Sequence, residues 1–215
     1  IDAIAPGEKI TVAAGSYEEG LTIWKSLTLR GAGQERTTLK ARHQNKLIIS
    51  VIAEAEEVTL EGIKVTASQG KGVSIYGQAT LQDVQGSSNE WGGISVGDWA
   101  QATISNSTVS NNGGGDGIFV WNFARATVYN TTVSNNGGHG IMVGGRSQTT
   151  ISDTIISGNK KGGLRIGGMR EVDSSVVKVC NSTIQGNGGD GIEVEDKTET
   201  TISESQILDN KGWGV

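Results

Sequence analysis

The 215-residue chain has one cysteine, Cys180, and one proline, Pro6. A single cysteine excludes an internal disulfide framework. Its place in the alternating run Val177-Lys178-Val179-Cys180 predicts an inward-facing thiol. With one proline, the 33 glycines do not mark a Pro/Gly-rich disordered chain. No apolar run approaches the roughly 18 residues of a membrane span. Basic residues are few and dispersed: the net charge is −5 and the pI about 5.1. A nucleic-acid face and a polybasic membrane patch are therefore not expected. The only histidines are His43 and His139.

What the chain does have is a period, the mark of a stacked-repeat architecture. SNNGGGDGIFV (110–120) is followed by SNNGGHGIMV, SGNKKGGLRI, QGNGGDGIEV and LDNKGWGV. A Gly-Ile step recurs at Gly93, Gly117, Gly140, Gly163 (with Leu), Gly191 and Gly214 (with Val), so successive spacings are 24, 23, 23, 28 and 23. Asn89, Asn112, Asn136, Asn159, Asn187 and Asn210 track it. Each repeat divides into three short alternating runs, too short for a helix. Alternation points Ile94, Val96, Ile104 and Val109 inward, and Ser95, Thr103 and Thr108 outward.

These features predict an all-β fold, a single-stranded parallel β-helix (β-solenoid) with about 23 residues per coil and three short strands per coil. One such domain spans residues 1–215, with irregular coils over 1–70, regular coils over 71–215, and nine to ten coils in total. Stacked Asn side chains are expected to bond from coil to coil. The longer spacing after Gly163 predicts a five-residue bulge near Met169–Ser174. A start at Ile1 without Met, and an end on an opening strand at Gly214-Val215, predict a fragment of a longer protein.

The N-x-G-x-GI pattern of the C-terminal two thirds resembles right-handed parallel β-helix repeat proteins of the pectate-lyase-like superfamily, which implies a right-handed coil. The opening, APGEKITVAAGSYEEGLTIWKSLTLRGAG, is similar to the first coils of CASH-type and NosD-like β-helix proteins. The resemblance implies the fold, a carbohydrate-related activity, and an extracellular or periplasmic location. It does not imply one function, because the superfamily holds lyases, hydrolases, epimerases, binding modules and adhesins.

Three readings follow. The first is a carbohydrate-binding module. Phe119 and Trp121 point outward if Ile118 and Val120 point inward, and the same outward column holds Ser95, Met142, Arg165 and Glu193. Trp99 and Phe123 lie in the turns that follow. Flat aromatic faces beside charged hydrogen-bonding groups suit a polysaccharide, and in this superfamily that strand face is where carbohydrate grooves commonly lie. The expected ligand-binding set is Trp99, Phe119, Trp121, Phe123, Met142, Arg165 and Glu193.

The second reading is a polysaccharide hydrolase or lyase. Asp116 and His139 occupy one column a coil apart, an arrangement suited to acid–base work. Gly138-His139-Gly140 is similar to the GHG segment of polygalacturonases, and Arg165-Ile166 is faintly similar to their Arg-Ile-Lys motif. The further aspartates those hydrolases need are missing beside Asp116, and Gly167 replaces the lysine. A lyase of this superfamily implies a Ca²⁺ cage, but Glu90, Asp98 and Asp116 fall on different coils, so neither a metal nor another cofactor is expected. Asp116, His139 and Arg165 remain weak catalytic candidates, and the balance leans against an enzyme. The third reading is a structural or adhesin scaffold that uses the aromatic face, or its open solenoid ends, for protein contact or self-association.

Overall fold

The computed structural model describes residues 1, 3–42, 47–167, 174–195 and 197–215. These residues form strands and turns, without helix, and every strand pairing is parallel. The chain winds as a β-solenoid with three strand positions per turn.

The first sheet has eight strands: Leu21–Ile23, Leu47–Val51, Lys71–Ile75, Gly92–Val96, Ile118–Val120, Ile141–Val143, Leu164–Ile166 and Ile192–Val194. The second strand position includes Gln101–Ser105, Arg125–Tyr129, Gln148–Ser152, Val176–Cys180 and Glu199–Ser203. The third includes Thr108–Ser110, Thr132–Ser134, Ile155–Ser157, Thr183–Gln185 and Gln206–Leu208. Two long strands, Val58–Thr66 and Gln78–Ser87, run through both of these positions and join them into one sheet. They bend at Gly62 and Asp83, both with positive φ.

The structure has about eight turns rather than nine to ten. Some coils are longer than the period implies. Leu27 pairs with Val58, thirty-one residues on, and Leu164 with Ile192, twenty-eight on. The expected bulge near Met169–Ser174 falls almost entirely outside the described residues.

Inward residues repeat coil after coil. Ile94, Ile118, Ile141, Leu164 and Ile192 pair in sequence and are at most 2% exposed. Burying each side chain of this size contributes about 1.5–3 kcal/mol. Cys180 differs from its expected place. Val177 and Val179 are buried, so Cys180, one residue out of phase, ends its strand half-buried with a free thiol.

The corner before the first sheet carries the asparagine ladder. Asn136 Nδ2 donates to Asn159 Oδ1 at 3.0 Å and to the Val109 carbonyl at 3.1 Å. Its Oδ1 accepts from the Asn112 amide N–H at 3.2 Å and from Asn112 Nδ2 at 2.8 Å. The same pattern joins Asn89 to Asn112, Asn159 to Asn187, and Asn187 to Asn210. The buried polar groups of this corner are thereby satisfied. The following glycines leave room for it. A Cβ on Gly140 would lie 2.3 Å from Ile156 Cγ2 and 2.7 Å from Asn159 Nδ2.

Candidate functional site

Strand register builds the outer face of the first sheet in three columns. The middle column runs Ser74, Ser95, Phe119, Met142, Arg165, Glu193. The expected outward row is therefore present. The column just after the strands holds Tyr76, Gly97, Trp121, Gly144, Gly167 and Glu195, aligned by successive backbone hydrogen bonds. The column just before them holds Lys71, Gly92, Asp116, His139, Gly162 and Asp190.

Phe119 is at the centre of its strand and Trp121 is the residue just past the strand's end. Their ring centroids lie 6.1 Å apart and their planes differ by 8°. Gly97 makes this possible: a Cβ there would meet Trp121 Nε1 at 2.3 Å. The indole folds back over that glycine and donates from Nε1 to Ser95 Oγ at 3.3 Å. Ser95 is consequently buried, despite its outward position. Lys71 Nζ also donates to Ser95 Oγ, at 3.0 Å, and stands 5.3 Å from the Phe119 centroid. Burial pushes the Lys71 ammonium below its ordinary value, against the opposing pull of Asp116.

Charged groups flank this platform toward the C-terminal end. Arg165 Nη2 donates to Glu195 Oε1 at 2.6 Å, and its Nε lies 3.8 Å from Glu193 Oε2. The Glu195 hydrogen bond, supported by both glutamate charges, raises the Arg165 pKa.

Asp116 and His139 meet as expected. Asp116 Oδ1 accepts the His139 backbone N–H at 2.7 Å and lies 3.1 Å from Nδ1. His139 Nε2 is 3.9 Å from Glu193 Oε2. The imidazole is buried, with Gly162 beneath Cδ2. The backbone part of this arrangement recurs without a histidine, since Asp190 Oδ1 accepts the Trp213 N–H at 2.6 Å. Its repetition identifies the carboxylate as a brace between coils. Among the described residues, no three His, Cys, Asp or Glu side chains gather closely enough to hold a metal ion.

Trp99 and Phe123 form a pair apart from Phe119 and Trp121. They stack on each other at the next corner, with centroids 4.3 Å apart and planes within 3°. Sequence reasoning passed over Lys71, Tyr76 and Glu195 as neighbours of the platform. The period alone places Lys71, because Lys71-Gly72-Val73 aligns with Gly92-Gly93-Ile94.

The family profile described as "right handed beta helix region" matches residues 48–215. The chain belongs to this right-handed β-helix family. No curated protein matches it in sequence. Pectate lyase Pel9A superposes with a TM-score of 0.71 at 17% identity, covering 97% of this chain and 70% of that one. The periplasmic alginate epimerase AlgG superposes at 0.68 and 12% identity, covering 85% of this chain and 47% of that one. A pectin methylesterase in complex with hexasaccharide VII superposes at 0.62 and 12% identity, covering 99% and 82%. At these identities the β-helix shares their fold, and that alone.

Proposed function

We propose that this β-helix is a carbohydrate-binding module that holds a polysaccharide on the outer face of its first sheet. The observation that carries the reading is the register that sets Phe119, Met142, Arg165 and Glu193 in one outward row, with Trp121 beside Phe119. A sugar ring presents an apolar C–H face and a rim of hydroxyls. Near-parallel aromatic rings accept the face, while Arg165, Glu193 and Lys71 lie where hydroxyls or charged substituents need partners. The row advances roughly 4.8 Å per coil, so an extended chain lying along the axis meets the same kind of surface repeatedly.

Similarity of fold to a pectate lyase, a pectin methylesterase and an alginate epimerase supports a polysaccharide partner. The same likeness supports an extracellular or periplasmic location. The test is a glycan array probed with the parent chain and with Phe119→Ala. The reading expects retention on one polysaccharide class, weakened about tenfold in the variant, in line with the loss of one aromatic stacking contact. Equal retention by both proteins removes the platform from the account.

A second reading, polysaccharide cleavage, draws on the contact between Asp116 and His139 and on Glu193 beyond it. Release of reducing or unsaturated ends from the retained polymer, abolished in His139→Ala, is the result that would favour it.

A further inference from the structure

We infer that the corner between the first and second strand positions is a second glycan site, distinct from the first-sheet platform, which takes a carboxylate-bearing sugar chain. Three successive coils turn here through pairs of left-handed residues: Asp98 and Trp99, Asn122 and Phe123, Gly145 and Arg146. Trp99, Phe123 and Arg146 have φ of 68°, 65° and 64°. Glycine or asparagine adopts this conformation readily, whereas bulky side chains resist it. A turn needed only for folding would not call for Trp or Phe at these positions.

The turns stack in register. The Trp99 N–H donates to the Asn122 carbonyl at 3.0 Å, and the Phe123 N–H to the Gly145 carbonyl at 2.8 Å. The side chains therefore form a ladder, Trp99 on Phe123 and the Arg146 guanidinium 5.7 Å from the Phe123 centroid. The ladder has an open end. In the preceding coil only Tyr76 and Gly77 separate Ile75 from Gln78, whereas four residues separate Val96 from Gln101. Among the described residues, no corner residue stands over Trp99, which is 69% exposed.

A groove of about 420 Å³ runs alongside, lined by Trp99, Phe123, Arg146, Gln101, Arg125 and Gln148. Gln101, Arg125 and Gln148 are register partners and form one row. Among the described residues, no side-chain hydrogen bond or ion pair engages Arg125. Beyond the row, a larger groove sharing Gln101 and Arg125 continues past Thr80, Thr103 and Thr127 and is lined also by Glu56 and Glu57. The Asp98 carboxylate is held by Asn122 Nδ2.

The open indole suits the C–H face of a sugar. The glutamine amides and threonine hydroxyls suit its hydroxyls. The Arg125 guanidinium selects a carboxylate over a neutral substituent.

The test is calorimetric titration of oligogalacturonate, with a neutral cello-oligosaccharide as control, into the parent, Trp121→Ala, Trp99→Gly, Arg125→Gln, and the Trp121→Ala forms of the last two. Oligogalacturonate is expected to bind Trp121→Ala protein, about tenfold more weakly once Trp99→Gly or Arg125→Gln is added. The cello-oligosaccharide is expected to bind that protein less well, and added salt to weaken the acidic ligand. A thermal melt of each variant separates lost binding from lost fold; in Trp99→Gly, relief of the left-handed tryptophan offsets the lost stacking on Phe123. Unchanged affinity in Trp99→Gly and Arg125→Gln overturns the corner site. Equal affinity for the neutral ligand, or no binding by Trp121→Ala protein, overturns it as well. Loss in Trp121→Ala alone would leave the first-sheet platform standing without the corner.

Discussion

Asp116 reaches one coil forward and receives His139 twice on one oxygen, the backbone N–H at 2.7 Å and the ring Nδ1 at 3.1 Å. Asp190 receives the Trp213 N–H in the same way. The predicted cost of Asp116→Ala is about 1–3 kcal/mol, the range for leaving a buried donor unpaired. Asp116→Asn keeps an acceptor and should lose less. Urea denaturation of the two variants checks the order; equal losses would mean that the carboxylate does not brace the turn.

Asn136 is fully buried and takes part in four side-chain hydrogen bonds, two given and two received. Asn136→Ala is expected to destabilise by about 3 kcal/mol or more, because several buried partners lose their mates together. Asn135, its exposed neighbour, has a φ of 56°, so Asn135→Gly serves as the control and should fall within about 0.5 kcal/mol of the parent. Thermal melts of the pair measure the difference.

Much of this architecture can be read from residue spacing. The Gly-Ile step and the asparagine column mark strand and corner because backbone contact between coils admits few alternatives at those places. Phe119, Met142, Arg165 and Glu193 follow from simple alternation on a strand. Trp99 and Phe123 do not. They lie in turns of positive φ, where alternation no longer says which way a side chain points, so their pairing at a separate corner emerges only from the backbone. Ser95 is outward by parity yet buried, because the indole of a residue one coil on covers it. The period alone overestimates the number of turns because a thirty-one-residue step from Leu27 to Val58 breaks it.

Gly97 is the seat of the Trp121 ring. Gly97→Ala should push the indole off Ser95 and change its near-ultraviolet circular dichroism and fluorescence. Overpacking of this kind costs about 1–3 kcal/mol. An unchanged spectrum would contradict the contact.

Lys71 titrates below its ordinary value of 10.5 because burial disfavours its charge. Between that lowered value and 10.5, the unfolded chain holds a proton that the folded chain has released. The Lys71 contribution to stability therefore rises with pH across this window. Relative to Lys71→Met, the parent should gain stability as pH climbs toward 10.5. The Cε resonance of Lys71, followed by NMR, should show a midpoint below that of the exposed lysines. A midpoint among theirs would contradict the burial.

The most direct measurement is a thermal-shift titration with soluble acidic and neutral polysaccharides, run on the parent and on Trp121→Ala. A ligand that binds only the folded state raises the melting temperature with concentration. The account predicts a rise with one polymer class that is reduced in Trp121→Ala. No rise with any polysaccharide, or the same rise in both proteins, would contradict glycan binding on the first-sheet platform.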